Sequence, residues 1–181
     1  MQKCDRVLKI ANIIEESRVG GPQTRNLMIA SVLKKKFDFT FIFPKENCKE
    51  YQTKCNSLGI KSLPISLTTI KRDLANIISY LILFPFEVIK LSRILKKNCF
   101  DILHISGGSW QFKGLLAAKL ANIRVIWELN DTYAPFLIRL IFFFLSRLAD
   151  GFIFASKRTK KYYEKLAPIN CKNFLIQSPV D

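Results

Sequence analysis

The sequence is poor in the groups that carry metal and redox chemistry. It has one histidine, His104, in 181 residues. Its five cysteines, Cys4, Cys48, Cys55, Cys99 and Cys171, form no C-x-x-C pair and are odd in number. These absences argue against a zinc site and fit reduced thiols in a cytosolic protein. Acidic residues are also scarce: 14 Asp and Glu stand against 29 Lys and Arg, a net charge of +15. That excess favours an anionic partner: a membrane surface, a nucleotide or nucleic acid. No apolar run reaches the roughly 20 residues of a membrane-spanning helix. The greasiest segments, residues 77–86 and 136–145, are interrupted by Pro85 and Arg139. Residues 1–6 do not resemble a signal peptide, and no repeat or low-complexity tract occurs.

What is present is globular. Hydrophobic residues make up 49% and charged residues 24%, enough for one domain with a real core. Strand-like and helix-like segments alternate. Strands are expected at 7–13, 38–43, 60–65, 101–106, 123–129, 151–155 and 173–177, and helices at 24–37, 45–58, 69–98, 110–121, 135–149 and 157–166. Pro85 is expected to bend the long helix. Repeated β-α units with nearly continuous apolar strands indicate an α/β fold, a Rossmann-like parallel sheet with helices on both faces. Residues 77–86 and 136–145 read first as buried core helices and second as helices lying in a membrane interface. Lys34, Lys35 and Lys36, and likewise Lys96 and Lys97, fall where helices close, a site that suits cations. Nucleic-acid binding is not expected, because the basic residues form neither a motif nor a stripe.

Ligands of such sheets sit beyond the C-terminal ends of the strands. The first of these ends carries Gly20, Gly21, Pro22 and Gln23 immediately before a helix. A helix N-terminus exposes unpaired N–H groups and the positive end of its dipole, and glycine lets a ligand approach the backbone. This is the candidate site for a phosphate or sugar; a plain turn is the competing reading. Gln23 and Arg25, in the first helical turn, either reach a ligand or form solvated surface. His104 is either a core residue or a site residue. Gly107 and Gly108 end the fourth strand, and Trp110 beyond them either stacks on a sugar or lipid or caps the core. Asn130 and Asp131 end the fifth strand as the best acceptor contacts, with an N-cap role as the alternative for Asp131. Alternation leaves the side on which Glu128 faces open.

These pieces, in order, carry a resemblance. The strand with its GGPQ loop is followed by DILHISGG and GLLAAKLA, by IRVIWELNDT, by SRLADGFIFASKRTKKYY and by IQSPVD. Together they resemble the N-terminal lobe of family-four glycosyltransferases, which have the two-lobed GT-B fold. The resemblance implies that residues 1–181 are the acceptor-side domain, with the C-terminal donor-binding domain lying outside them. It implies transfer of a sugar from a nucleotide-sugar to a lipid-linked or polysaccharide acceptor, with retention of configuration, in cell-envelope glycan synthesis. No cofactor or metal is implied, since helix dipoles and basic side chains suffice for a leaving diphosphate. The donor's phosphate or sugar would meet Gly20, Gly21, Pro22 and Gln23, and the acceptor would meet Arg25, His104, Gly107, Gly108, Asn130 and Asp131.

Four residues depart from the family pattern. Asn130 stands where His is frequent and cannot act as a general base. Ser106 replaces a second His, and Ser178 and Pro179 replace the Asn-Gly of the junction to the second lobe. Without a donor-binding lobe the isolated chain is expected to be inactive, and its reduced thiols, basic charge and apolar segments lead to the expectation of a cytoplasmic protein, peripheral on the inner face of the membrane. A non-catalytic membrane-anchoring or binding subunit, or an inactive remnant, needing a separate donor-binding lobe, is the alternative.

Overall fold

The computed structural model describes residues 6–16, 18–70, 73–167, 169 and 171–177. Cys4 and the junction residues Ser178, Pro179, Val180 and Asp181 lie outside the described residues. The strands are β1 (Leu8–Ile13), β2 (Phe37–Pro44), β3 (Lys61–Ile65), β4 (Ile102–Ile105), β5 (Arg124–Leu129), β6 (Gly151–Phe154) and β7 (Lys172–Leu175). The helices are α1 (Gly21–Leu33), α2 (Lys49–Ser57), α3 (Leu74–Lys97), α4 (Phe112–Ala121), α5 (Phe136–Leu145) and α6 (Lys157–Leu166). A 3-10 turn, Ser146–Leu148, follows α5.

All pairings are parallel, in the order β3-β2-β1-β4-β5-β6-β7. The chain winds outward one way from β1 and then returns to β4 to wind the other way. The gap between the C-terminal ends of β1 and β4 is thus the topological switch point, where such sheets bind ligands.

Two cores flank the sheet. On one face α1 and α2 bury Leu27, Ala30, Tyr51 and Cys55 against Phe41 and Phe43. On the other, α3 to α6 cover Ala11, Ile13, Leu103, Ile105, Val125 and Trp127. Trp127 anchors that side: its ring meets Phe112, Phe142 and Phe152. Such aromatic contacts add about 0.5–1.5 kcal/mol each beyond area burial.

Local chemistry explains the element ends. α1 starts at Gly21, three residues earlier than expected, because Pro22 is favoured in a helix's first turn. Phe37 is not the end of α1 but the first residue of β2, paired with Leu8. α2 stops at Gly59, whose φ of 64° suits a helix terminus. Asn122, at φ 58°, ends α4 in the same left-handed conformation. Asp73 and Ser156 cap α3 and α6 by accepting from the backbone N–H of Asn76 and Thr159.

The two greasy segments are not buried core helices, which corrects the first reading of the sequence. In α3, Leu81 is 65% and Phe86 66% exposed, and in α5 Phe136 is 73% exposed. Of α5 only Phe142 is buried. α3 is long and apolar enough to cross a membrane by length and composition, more than its sequence segment alone suggested. Its second half, however, sets Val88, Leu91 and Leu95 into the core. The helix is therefore part of the domain, with an apolar first half that lies uncovered. It continues through Pro85, whose missing N–H leaves the Leu81 carbonyl without its helical partner.

Candidate functional site

At the switch point the end of β1 is tied to the loop after β4. Gln111 Oε1 accepts a 2.6 Å hydrogen bond from the Glu15 backbone N–H, and Ser106 N–H donates to Ile13 O at 3.0 Å. Gly107 has φ 116°, and a Cβ there would meet Ile14 Cδ1 at 3.2 Å. Gly108 has φ 142°, and a Cβ there would meet Asp131 Oδ2 at 3.0 Å. These two glycines are required by conformation and by space. Trp127 Nε1 donates to the Gly108 carbonyl at 2.9 Å, so the buried indole holds this loop from beneath.

The first loop is built differently. Gly20 is the extended residue before α1 and has no side chain to cap the helix. A Cβ on Gly21 would meet nothing within 4 Å, so the first turn of α1 borders open space. The amides of that turn have no intrahelical acceptor. Pro22 lies in the turn, and Gln23 is buried.

Asn130 and Asp131 follow β5. Both amide atoms of Asn130 are buried without a hydrogen-bond partner, which is costly unless a ligand satisfies them. Asp131 accepts from the Tyr163 hydroxyl. Burial raises its carboxyl above the usual range, and the Tyr163 hydrogen bond offsets part of that rise. Asp131 is thus tied to α6 through Tyr163 and lies beside Gly108.

Arg25 and His104 belong to a separate, internal cluster. Arg25 Nη1 donates to Glu128 Oε1 at 2.7 Å and Nη2 to the Ile176 carbonyl at 3.0 Å. Asn26 Nδ2 donates to Glu128 Oε2 at 3.2 Å. His104 Nδ1 lies 2.8 Å from Asn12 Nδ2. Its Nε2 lies 3.1 Å from Glu128 Oε2 but is poorly aligned to hydrogen-bond there. Burial alone would raise the Glu128 carboxyl, but His104, Arg25 and Asn26 outweigh it and hold the group below its usual value. Glu128, left open by alternation, therefore sits inside the sheet's α1 face. The cluster ties the first turns of α1 to β4, β5 and the end of β7, and so fixes where the glycine pair points.

A second buried network was not legible in the sequence. Glu15 Oε1 accepts from the backbone N–H groups of Lys113 and Gly114 at 3.0 and 3.4 Å, serving as a cap for α4 supplied by another element. Lys113 Nζ, fully buried, contacts Glu87 Oε2 at 2.6 Å and Thr68 Oγ1 at 3.0 Å and lies 3.9 Å over the Tyr80 ring. Burial pushes the Glu15 carboxyl up to about 7, against the pull of Lys113. Beside this network opens a cleft of about 350 Å³ lined by Glu15, Glu16, Thr69, Ile70, Trp110, Pro135 and Ile138. Trp110 precedes α4 and is 38% exposed in this cleft, so it is not a core cap. Among the described residues, no three His, Cys, Asp or Glu side chains converge as metal ligands.

A parallel sheet wound both ways from its switch point, with a cleft there, defines a Rossmann-like α/β lobe. Residues 19–181 match the family described as Glycosyltransferase Family 4, and the chain belongs to that family. HepE from Anabaena, solved with UDP-glucose, superposes with a TM-score of 0.72 at 14% identity over 96% of this chain and 44% of its own. A glycosyltransferase from Rickettsia africae gives 0.75 at 13% identity, over 97% of this chain and 44% of its own. The lipopolysaccharide outer core galactosyltransferase WaaB gives 0.63 at 17% identity, over 96% and 46%. The chain thus spans less than half the length of these structures, and at such identities the likeness concerns the fold. A search of curated proteins returns no match.

Proposed function

We propose that this domain is the acceptor-side lobe of a GT-B glycosyltransferase. It works with a donor-binding lobe to move a sugar from a nucleotide-sugar to a lipid-linked or polysaccharide acceptor in envelope glycan synthesis. The observation that carries this reading is that the open first turn of α1 follows β1 and the glycine loop follows β4, the two strands that flank the switch point, in a chain of this family. HepE was solved with UDP-glucose, and WaaB is described as a galactosyltransferase of the lipopolysaccharide outer core; both support the substrate classes.

Gly20, Gly21, Pro22 and Gln23 present backbone to the donor's phosphate or sugar, and the helix dipole favours its negative charge. Gly107, Gly108, Asn130 and Asp131 form the acceptor wall. The unpaired amide of Asn130 is suited to a sugar hydroxyl, as donor and acceptor at once. Arg25 and His104 act on the site through Glu128, by holding α1 in place. The domain lies peripherally on the cytoplasmic face of the membrane, its exposed apolar flank on α3 and α5 in contact with lipid and its +15 charge attracted to anionic headgroups.

Radiolabelled UDP-glucose and a lipid extract from inner membranes, with the chain alone and with a donor-binding lobe of the family, test this. Transfer is expected only with both lobes, and Gly108→Val is expected to lower it at least tenfold. Turnover by the 181 residues alone, or equal transfer by Gly108→Val, contradicts the reading.

A further inference from the structure

The cleft beside Trp110 does not end at Pro135. It shares Ile70 and Ile138 with a groove of about 440 Å³ that runs between α3 and α5 over α4. Ile77, Leu81 and Phe84 form one wall, and Leu137 and Ile141 the other. Leu116 of α4 lies at the floor. The lining is apolar except for Tyr80. Leu81 and Leu137 on the rims are 65% and 63% exposed. The groove is thus open along its rims and adjoins the polar cleft at Ile70 and Ile138.

We propose that the groove between α3 and α5 receives the hydrocarbon chain of a lipid-linked acceptor, whose polar head lies in the cleft at Glu15 and Trp110. This rests on the acceptor reading above and narrows it to one class, an amphiphile with a flexible alkyl or isoprenoid tail. Continuity selects that occupant. One molecule with a polar end and an apolar end satisfies both chambers, whereas a free polysaccharide leaves the apolar chamber unfilled. The volume lies in the range of small-molecule pockets, about 300–1,000 Å³, and suits a single chain.

The test uses the full chain and uncharged probes: butyl, hexyl, octyl and decyl β-glucoside, each as monomers, followed by calorimetry. Each buried methylene contributes about fourfold in affinity (~0.8 kcal/mol), so octyl glucoside is expected to bind on the order of a hundredfold more tightly than butyl. Leu137→Asp and Ile77→Trp, both at the rim, are expected to abolish that slope. Ile82→Asp, exposed on α3 away from the groove, is expected to keep it, and Trp110→Ala to weaken every homologue by one factor. An octyl probe with a photoreactive terminal diazirine is expected to label α3 and α5, which locates the chain even if a rim variant misfolds. An affinity independent of chain length, loss of the slope in Ile82→Asp alone, or labelling elsewhere overturns the proposal. Failure of the glycosyltransferase reading is separate: the slope and the labelling persist while no lipid-linked acceptor is glycosylated. Conversely, transfer that ignores tail length removes the groove and leaves the enzyme.

Discussion

Replacing Glu15 by Gln should alter how stability depends on pH, in a direction the structure fixes. The folded Glu15 carboxyl is raised from 4.5 to about 7, chiefly by burial. Below about pH 4 both the folded and the unfolded chain hold this proton, and it contributes no pH dependence. As pH rises from about 4.5 to about 7, the unfolded chain releases the proton while the folded chain keeps it. Stability therefore falls with rising pH, by about 1.4 kcal/mol per unit or roughly 3 kcal/mol across the window, and then levels off. Gln at this position keeps an oxygen for the N–H groups of Lys113 and Gly114 and cannot ionise. Glu15→Gln should match the parent protein near about pH 4 and exceed it by about 3 kcal/mol near about pH 8. Guanidinium unfolding at successive pH values, followed by the fluorescence of the buried Trp127, measures the difference. Comparing the two proteins at each pH cancels the contribution of Asp131, whose raised carboxyl acts in the same sense. Equal pH slopes would refute the reasoning. So would a variant that is less stable at high pH, since Glu15 would then be an ionised partner of Lys113.

Further outcomes are expected. Glu128→Ala strands the guanidinium of Arg25, whose side chain is 9% exposed; it should cost about 3–5 kcal/mol in chemical unfolding. The lowered Glu128 carboxyl contributes stability above its unfolded value of about 4.3, lost as pH falls through the folded value; the parent protein should lose this stability in acid, and Glu128→Gln should not. Gly21→Ala meets open space in the first turn of a helix, so the thermal midpoint should hold or rise slightly, by up to about 1 kcal/mol in stability; the chain alone should bind UDP-glucose weakly or undetectably, and tight binding lost in Gly21→Val would contradict the half-site picture. Phe136→Asp and Leu81→Asp should weaken binding to anionic vesicles severalfold in a flotation assay, with unchanged thermal midpoints; unaltered flotation would separate the apolar flank from the membrane.

Much of the fold was readable because parallel α/β units repeat one local pattern. The strands around Ile10, Ile42, Leu103, Val125 and Phe152 are short apolar runs bounded by glycine or helix signals, and each forms where the pattern placed it. Helix ends were less legible. Gly21 and Pro22 read as loop but begin α1, since proline's fixed φ is compatible with a first turn. Phe37 continues an apolar helical spacing but pairs with Leu8 across the sheet. The exposure of Leu81 and Phe136 agreed with the second of two readings and not the first, because hydrophobicity alone does not say which helix has a neighbour.

The glycine loops were visible as loops, and their place after the two strands that flank the switch point follows from strand order. The polar clusters beneath them were hidden by distance along the chain. Arg25 meets Glu128 across 103 positions, and Lys113 meets Glu15 across 98. No local motif marks such pairs. A Glu at the end of the first strand and a Lys in the first turn of a helix were the available hints, and both read equally well as surface.

The acceptor wall at the switch point is tested most directly by amide chemical shifts of the nitrogen-labelled full chain during titration with methyl β-glucoside, which has a sugar head and no tail. The largest changes are predicted at Gly107, Gly108, Trp110 and Asn130, with smaller ones at Gly20 and Gly21. Changes confined to the opposite sheet face, around Ile102, Ile126 and Ile153, or no localised change at all, would contradict it.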